Sequence, residues 1–340
     1  MKARLQGYKK VVTVFAIVFL SMYLLIEHVR YRAMHELPKG LRRFDLIDPP
    51  PVCARWKEHM PRYRDSDVFH LYIAARKLWR SKIEWQLTSK ETHRILADVS
   101  TAAEKGDWGA KALLAHFYRE GLGPLPENQA QLPDGDKAVA IARAAVAAGQ
   151  PWGFYDLGVA HEHGYGGAVY DQEIAWAYYL RAAQLGSPEA QMALAAAYGQ
   201  VRRFDDEERM LQCAAAQAHG PAAYRLAIRQ EVLGNHREAA KLYQEGVKFG
   251  SDDSATSLEM LFKNGYWIVQ SERENLKTVG LTSDPERAQR YGVISEALRL
   301  NPDLRLPNLD KVLPLPPTDL PHWDGIDDAL EPEGPAPPAY

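Results

Sequence analysis

Close to its start the chain carries an apolar run that no charge interrupts. Val11 to Ile26 reads VVTVFAIVFLSMYLLI, softened only by Thr13, Ser21 and Tyr23. It has no polar face, so it lacks the pattern of a helix packed on a soluble core. Further on, apolar positions recur three and four residues apart, the spacing of helices that bury one side. Asp67 to Trp79 (DVFHLYIAARKLW) is one such stretch, and Glu91 to Ala103, opened by Thr88-Ser89, is another. Past residue 250, Ala255, Leu258, Leu261 and Phe262 mark a helix ending at Asn264-Gly265. Asp284 then opens DPERAQRYGVISEALRL, with Pro285 at the favoured first helical position and Ala288, Tyr291, Ile294, Ala297 and Leu298 on one face. Ten of the 22 prolines lie in residues 302–340, so this tail cannot be helical and reads as extended chain with one aromatic anchor, Trp323.

The middle of the chain repeats itself. Residues 101–250 hold 33 alanines among 150. Short alanine-rich segments end at Gly106, Gly149, Gly186, His219 and Gly250, with spacings of 43, 37, 33 and 31 residues. A period in the thirties signals stacked supersecondary units. In each unit an alanine-rich helix ends in a turn, as at Gly121-Leu122-Gly123 and Gly164-Tyr165-Gly166, where glycine takes the left-handed conformation cheaply. Asp136, Asp171, Asp205 and Asn235 are of the type that caps a second helix. Its apolar face carries Ile141, Trp176, Tyr179, Leu211 or Tyr243. The expected fold is all-α, a right-handed α-α solenoid of helix-turn-helix units.

These units resemble the Sel1-like repeat, a relative of the tetratricopeptide repeat. Ala110, Leu114, Ala115, Tyr118, Gly121, Gly123, Asp136, Ala138, Ala145 and Gly149 match one unit. Gly153, Leu157, Gly158, Gly164, Gly166, Asp171, Ala175, Tyr179, Ala182, Ala183 and Gly186 match the next, with His161 in a tyrosine position. The third keeps Ala190, Leu194, Ala195 and Tyr198 but lacks the glycine turn, and the fourth keeps Ala223, Gly234 and Ala239. The closing pattern DPERAQRY…PLPP…LP.W.DG is similar to the C-terminal extension of a set of proteobacterial Sel1-like proteins. Sel1-like proteins with an export signal or anchor and such a tail resemble immunity proteins of type VI secretion systems. The resemblance implies a protein partner, a toxin such as a phospholipase effector, gripped and occluded in the periplasm. An envelope assembly or signalling adaptor is the alternative.

Charge divides the chain into three parts. The net charge of −3 hides +7 in residues 1–43, −4 in residues 44–300 and −6 in residues 301–340. Lys2, Arg4, Lys9 and Lys10 precede the apolar run. Its 16 residues would rise about 24 Å as a helix, against a hydrocarbon core of about 30 Å. No pair of small residues three apart follows it, so the reading is an uncleaved signal anchor, with a cleaved signal and a buried helix as alternatives. Basic residues flank both sides, and the short N-terminal tail favours an N-in, single-pass inner-membrane topology with the repeat domain in the periplasm. The expected divisions are a basic tail (1–10), an anchor (11–26), a linker (27–66) marked by Pro49-Pro50-Pro51, capping helices (67–105), repeats (106–250), further caps (251–300) and the acidic tail (301–340). The near-neutral total gives no sign of nucleic-acid binding.

No catalytic constellation stands out, and no catalytic, cofactor or metal residue is expected. His161-Glu162-His163 has an i, i+2 spacing that points its histidines to different helix faces, so packing explains it better than metal binding. Gly164 to Gly167 lacks the Gly-Lys-Ser/Thr of a phosphate loop. Cys53 and Cys213 permit at most one intramolecular disulfide, and Cys213 reads first as a small buried side chain. The candidates for partner contact are Phe154, Tyr155 and Tyr178, from an aromatic-crowded unit, together with Trp323 and Asp324 in the tail. The tail is expected to dock on its own array through residues 302–325.

Overall fold

Alanine and glycine at the helix crossings let neighbouring backbones approach, and the chain folds as a stack of antiparallel helix pairs. The computed structural model describes residues 19–32, 35–61, 63–264 and 280–330. The first pair is α1 (Ser66–Trp79) and α2 (Ser89–Glu104), the second α3 (Trp108–Glu120) and α4 (Gly135–Ala147). Then come α5 (Pro151–His163) with α6 (Gln172–Gln184), and α7 (Pro188–Gln200) with α8 (Phe204–Ala215). The last pairs are α9 (Gly220–Val232) with α10 (His236–Lys248), and α11 (Asp252–Asn264) with α12 (Pro285–Leu300). Each helix packs on its neighbours in the chain, and α9 also reaches α11. This is an all-helical solenoid, and its extended positions among the described residues amount to one isolated bridge, Leu122 to Gln131.

The repeat residues do what their spacing requires. A methyl group on Gly158 of α5 would sit 2.5 Å from the Tyr179 ring of α6, so only glycine allows this crossing. Gly123 has φ +83 and its missing side chain would strike the Asn128 carbonyl at 2.0 Å. The third unit lacks such a glycine, and Arg202 takes the left-handed conformation instead, with φ 62. Asp171 caps α6 as expected, accepting from the Ile174 N–H. The other capping assignments shift. Asp134, not Asp136, caps α4 by accepting from the Lys137 N–H, and Asp205 lies in the first turn of α8, after Arg203. Asp136 and Asp205 still favour their helices, because carboxylates offset the positive end of the helix dipole. Asn235 stands at the start of α10 without a side-chain capping bond.

Three buried clusters follow one another along the stack, over α1–α3, α4–α9 and α9 to the tail. The two ends of the array meet. Arg76 of α1 donates through Nε and Nη2 to the carboxylate of Asp303, at 2.5 and 2.6 Å, and Arg80 lies 3.8 Å from the same group.

The apolar run from Val11 to Ile26 falls mostly outside the described residues. Its described end belongs to a helical stretch, 19–32, that continues past the expected boundary at 26. Here Phe19, Leu24, Leu25, Ile26 and Val29 are 57–66 % exposed, so this helix is not packed on the solenoid. Among the described residues, no helix is long and apolar enough to cross a membrane.

Candidate partner-binding surface

The expected linker is not a free tether. Residues 35–64 form a strap across the array. His35 bonds the carboxylate of Asp171, and Arg43 donates to Glu173 at 2.6 Å. Phe44 stacks on Trp176 of α6 at 5.2 Å between ring centroids and meets Tyr198 of α7 edge-on at 5.9 Å. Leu37, Leu41 and Leu46 pack against the same central core. Arg203 then donates to the carbonyls of Leu46 and Asp48. Further along, three glutamines at the starts of α5 and α7 and in the turn before α9 hold the strap by its backbone. Gln191 donates to the Ala54 carbonyl at 3.3 Å, Gln217 accepts from the Trp56 N–H at 2.9 Å, and Gln150 donates to the His59 carbonyl at 2.9 Å. The strap ends with Arg64 donating to the buried Asp107 carboxylate at 2.8 Å. A disulfide joins Cys53 to Cys213 midway. The sequence left this pairing open, because nothing local fixes the distance between residues 160 positions apart.

The tail docks on its own array, as expected for residues 302–325. Leu306, Leu309, Leu313 and Ala329 are fully buried with α11 and α12. Two buried arginines of α12 hold the extended backbone. Arg287 donates to the carbonyls of Pro314 and Thr318, and Arg290 donates to those of Val312 at 3.0 Å and Pro321 at 2.8 Å. Gln244 of α10 donates to the Leu313 carbonyl at 2.8 Å and accepts from the Tyr291 hydroxyl.

The candidate contact residues separate into two groups. Phe154 and Tyr178 are each only 8 % exposed and face each other at 6.4 Å, so they are core residues and not a surface. Both belong to the central core cluster, and Tyr178 also stacks on His161, 5.5 Å apart and nearly parallel. Tyr155 is half-buried beside Tyr179, and burial raises its hydroxyl above the usual tyrosine range. Trp323 is half-exposed over the Arg290 guanidinium, and Asp324 is exposed and pairs with His322 at 2.7 Å. Trp323 walls an open cleft of about 470 Å³ with Glu286, Gln289, Val293 and His322. A second cleft, about 530 Å³, lies beside the strap between Trp56, Gln217, Leu242 and Phe249. Sequence reasoning missed the strap, although its apolar Leu37, Leu41 and Phe44 and its lone cysteine were signals that it must bury something.

The titratable groups are engaged in packing. His161 bonds the Val169 carbonyl at 2.9 Å, and burial lowers its tendency to take a proton. Glu162 accepts from the Tyr179 hydroxyl. Asp156 faces Arg119 at 3.8 Å, and burial pushes its carboxyl up to about 7. The space between these two and Tyr165 is only about 10 Å³, too small for a substrate. Among the described residues no group of His, Cys, Asp and Glu could hold a metal ion.

Repeats of this period, built as stacked helix pairs with glycine at the crossings, decide the family of units. The units are similar to Sel1-like repeats. Three solved structures from Pseudomonas aeruginosa are similar to this chain. Immunity protein Pa5087 shares 28 % identity at a TM-score of 0.62, covering 79 % of this chain and 95 % of its own. Pseudomonas aeruginosa 5086 (PA5086) shares 28 % at 0.63, covering 79 % and 96 %. Immunity protein PA5088 shares 28 % at 0.60, covering 79 % and 95 %. A family described only as a domain of unknown function (DUF6396) matches residues 254–338. That segment comprises α11, α12 and the docked tail, whose buried side chains share one cluster with those of α9 and α10. No curated protein matches the sequence.

Proposed function

We propose that this chain is an immunity protein, held in the inner membrane by its N-terminal helix, that binds and neutralises a type VI secretion phospholipase effector in the periplasm. The observation that carries the reading is its likeness, over nearly the full length of each, to solved proteins named as immunity proteins. A rigid solenoid suits inhibition by occlusion, since it offers a large preformed surface at little ordering cost. The clefts at Trp323 and beside Trp56 are places where such a surface remains open. The Cys53–Cys213 bond favours an oxidising compartment, and the exposed apolar helix at 19–32 favours an anchor.

The test is co-expression with the products of neighbouring genes, followed by co-purification and a lipase assay. One tight partner whose phospholipase activity falls on binding is the expected result. Capture of several weak partners, none of them toxic, would instead indicate an envelope adaptor and sink the immunity reading. For topology, a C-terminal alkaline phosphatase fusion should be active, and an inactive fusion of normal abundance would remove the periplasmic placement.

A further inference from the structure

The helices of each pair run antiparallel and the pairs stack, so the turns within pairs share one edge and the turns between pairs share the other. The two edges differ. Within-pair turns expose Tyr170 (64 %) between α5 and α6, Val201 and Phe204 (45 and 48 %) between α7 and α8, and Val232 and Leu233 (82 and 60 %) between α9 and α10. The turns at the opposite edge near residues 149, 186, 218 and 250 expose no large apolar side chain. A single exposed apolar residue needs no explanation, but the same feature in three consecutive units does.

The chain enters the array at this same apolar edge. The exposed helix 19–32 is followed within three residues by His35, which is bound to Asp171, next to Tyr170. Three residues span at most about 11 Å of extended chain. Arg203 grips the carbonyls on both sides of Ile47, which is left 84 % exposed beside Phe204's turn. The expected anchor ends at Ile26, and the helix continues for six residues to Arg32, a rise of about 9 Å. With such an anchor, Tyr31 would fall where interfacial aromatics collect, with Arg30 and Arg32 at the headgroups. The chain between Ile26 and His35 therefore spans at most about 20 Å, which keeps this edge of the solenoid close to the bilayer surface.

We propose that the edge carrying Ile47, Tyr170, Val201, Phe204, Val232 and Leu233 lies in the headgroup region of the bilayer, so that the solenoid rests on the membrane in a fixed orientation. This rests on the anchor in the reading above. The occupant of the apolar edge is lipid, and the opposite edge with the Gln150 and Gln217 turns faces water. Interfacial binding of scattered apolar side chains adds to an anchor that is already in place, so no deep insertion is required.

The test uses the full chain reconstituted in phosphatidylethanolamine–phosphatidylglycerol vesicles. Both native cysteines are in the disulfide, so an introduced cysteine is the reactive thiol for a spin label. Labels go on Leu20→Cys in the anchor, Tyr170→Cys and Leu233→Cys on the apolar edge, and Lys105→Cys on the opposite edge. The expected result is that labels at 170 and 233 collide more with oxygen than with a water-soluble nickel chelate, as at 20, while the ratio reverses at 105. If 170 and 233 behave like 105 while 20 stays in lipid, the resting orientation is wrong and the anchor stands. If 20 is also in water, the anchor fails and the orientation falls with it. Dipolar broadening at 233 that disappears on dilution with unlabelled protein would assign the edge to a second copy, and overturns the proposal.

Discussion

Asp156 is where a single side chain works against the fold. Its carboxyl is 23 % exposed, faces one arginine at 3.8 Å and is pushed up to about 7 by burial. A carboxyl raised in the folded state is destabilising wherever the unfolded chain has already lost the proton. Stability is therefore greatest below the ordinary value of 3.8 and falls as pH rises towards 7. Asp156→Asn removes this slope. Discounted for partial exposure, the variant should be about 2 kcal/mol more stable than the parent above pH 7, and level with it below about pH 4. Denaturant melts at pH 4 and pH 8 check this, and equal stabilities at pH 8 would show the burial cost to be offset. Gly123→Ala should act the other way, costing about 1–3 kcal/mol, since it combines a left-handed backbone with a 2.0 Å collision against Asn128. Residues of this kind were legible in the sequence because the repeat places each glycine at a known step of the unit. Phe154 and Tyr178 were misjudged because a crowded aromatic unit has no clean apolar face. Burial there is decided by neighbours such as His161 that periodicity alone does not supply.

At the scale of elements, helices with a period of their own were readable, and segments held by distant partners were not. The α11 and α12 helices and the docked tail follow from local patterning and from apolar leucines that need burial. The strap has no period. Its bonds come from Gln150, Gln191 and Gln217, each in a different repeat unit, and no local signal ties them together. Asp134 and Asp136 are both plausible caps two residues apart, which is why the α4 start was placed late. The two unlocalised segments give distinct predictions. Arg290→Ala removes a buried guanidinium and leaves the carbonyls of Val312 and Pro321 without their donor, at a cost of about 2–4 kcal/mol. Limited proteolysis should then cut near residues 314–325 before any repeat helix, and an unchanged digestion pattern would mean that Arg287 and the leucines suffice. Cys53→Ser should cost about 2–5 kcal/mol, because the bond closes a loop of 160 residues. Matched melts with and without reductant check it, and a reductant effect that persists in the variant would point to another cause.

For the molecule as a whole, the contact between Asp303 and Arg76 brings the first helix against the last segment. Both side chains are about 30 % exposed, so the pair adds little to global stability. Asp303→Ala should lower it by less than about 1 kcal/mol while speeding amide exchange at residues 79–86, which line the seam. Unchanged exchange there would mean that packing alone closes the array. The charge division read from the sequence also finds its places. Basic residues flank the exposed helix and begin the strap, the repeats are nearly balanced, and the acids of the tail lie on its outer side at Asp319, Asp324, Asp327 and Asp328.

The strap also has a consequence for how the chain reaches its final form. Its partners at Asp171, Gln191, Arg203 and Gln217 lie roughly 130–160 residues downstream. Contacts of such separation form slowly, after local helix pairs. During synthesis, residues 35–64 therefore appear long before the helices that receive them. The strap's far end can be seated early, through Asp107 and Gln150, but its first half waits until α6 to α8 have followed it. A chain truncated before Cys213 would lack both the disulfide partner of Cys53 and the glutamine that holds Trp56, leaving the middle of the strap unheld.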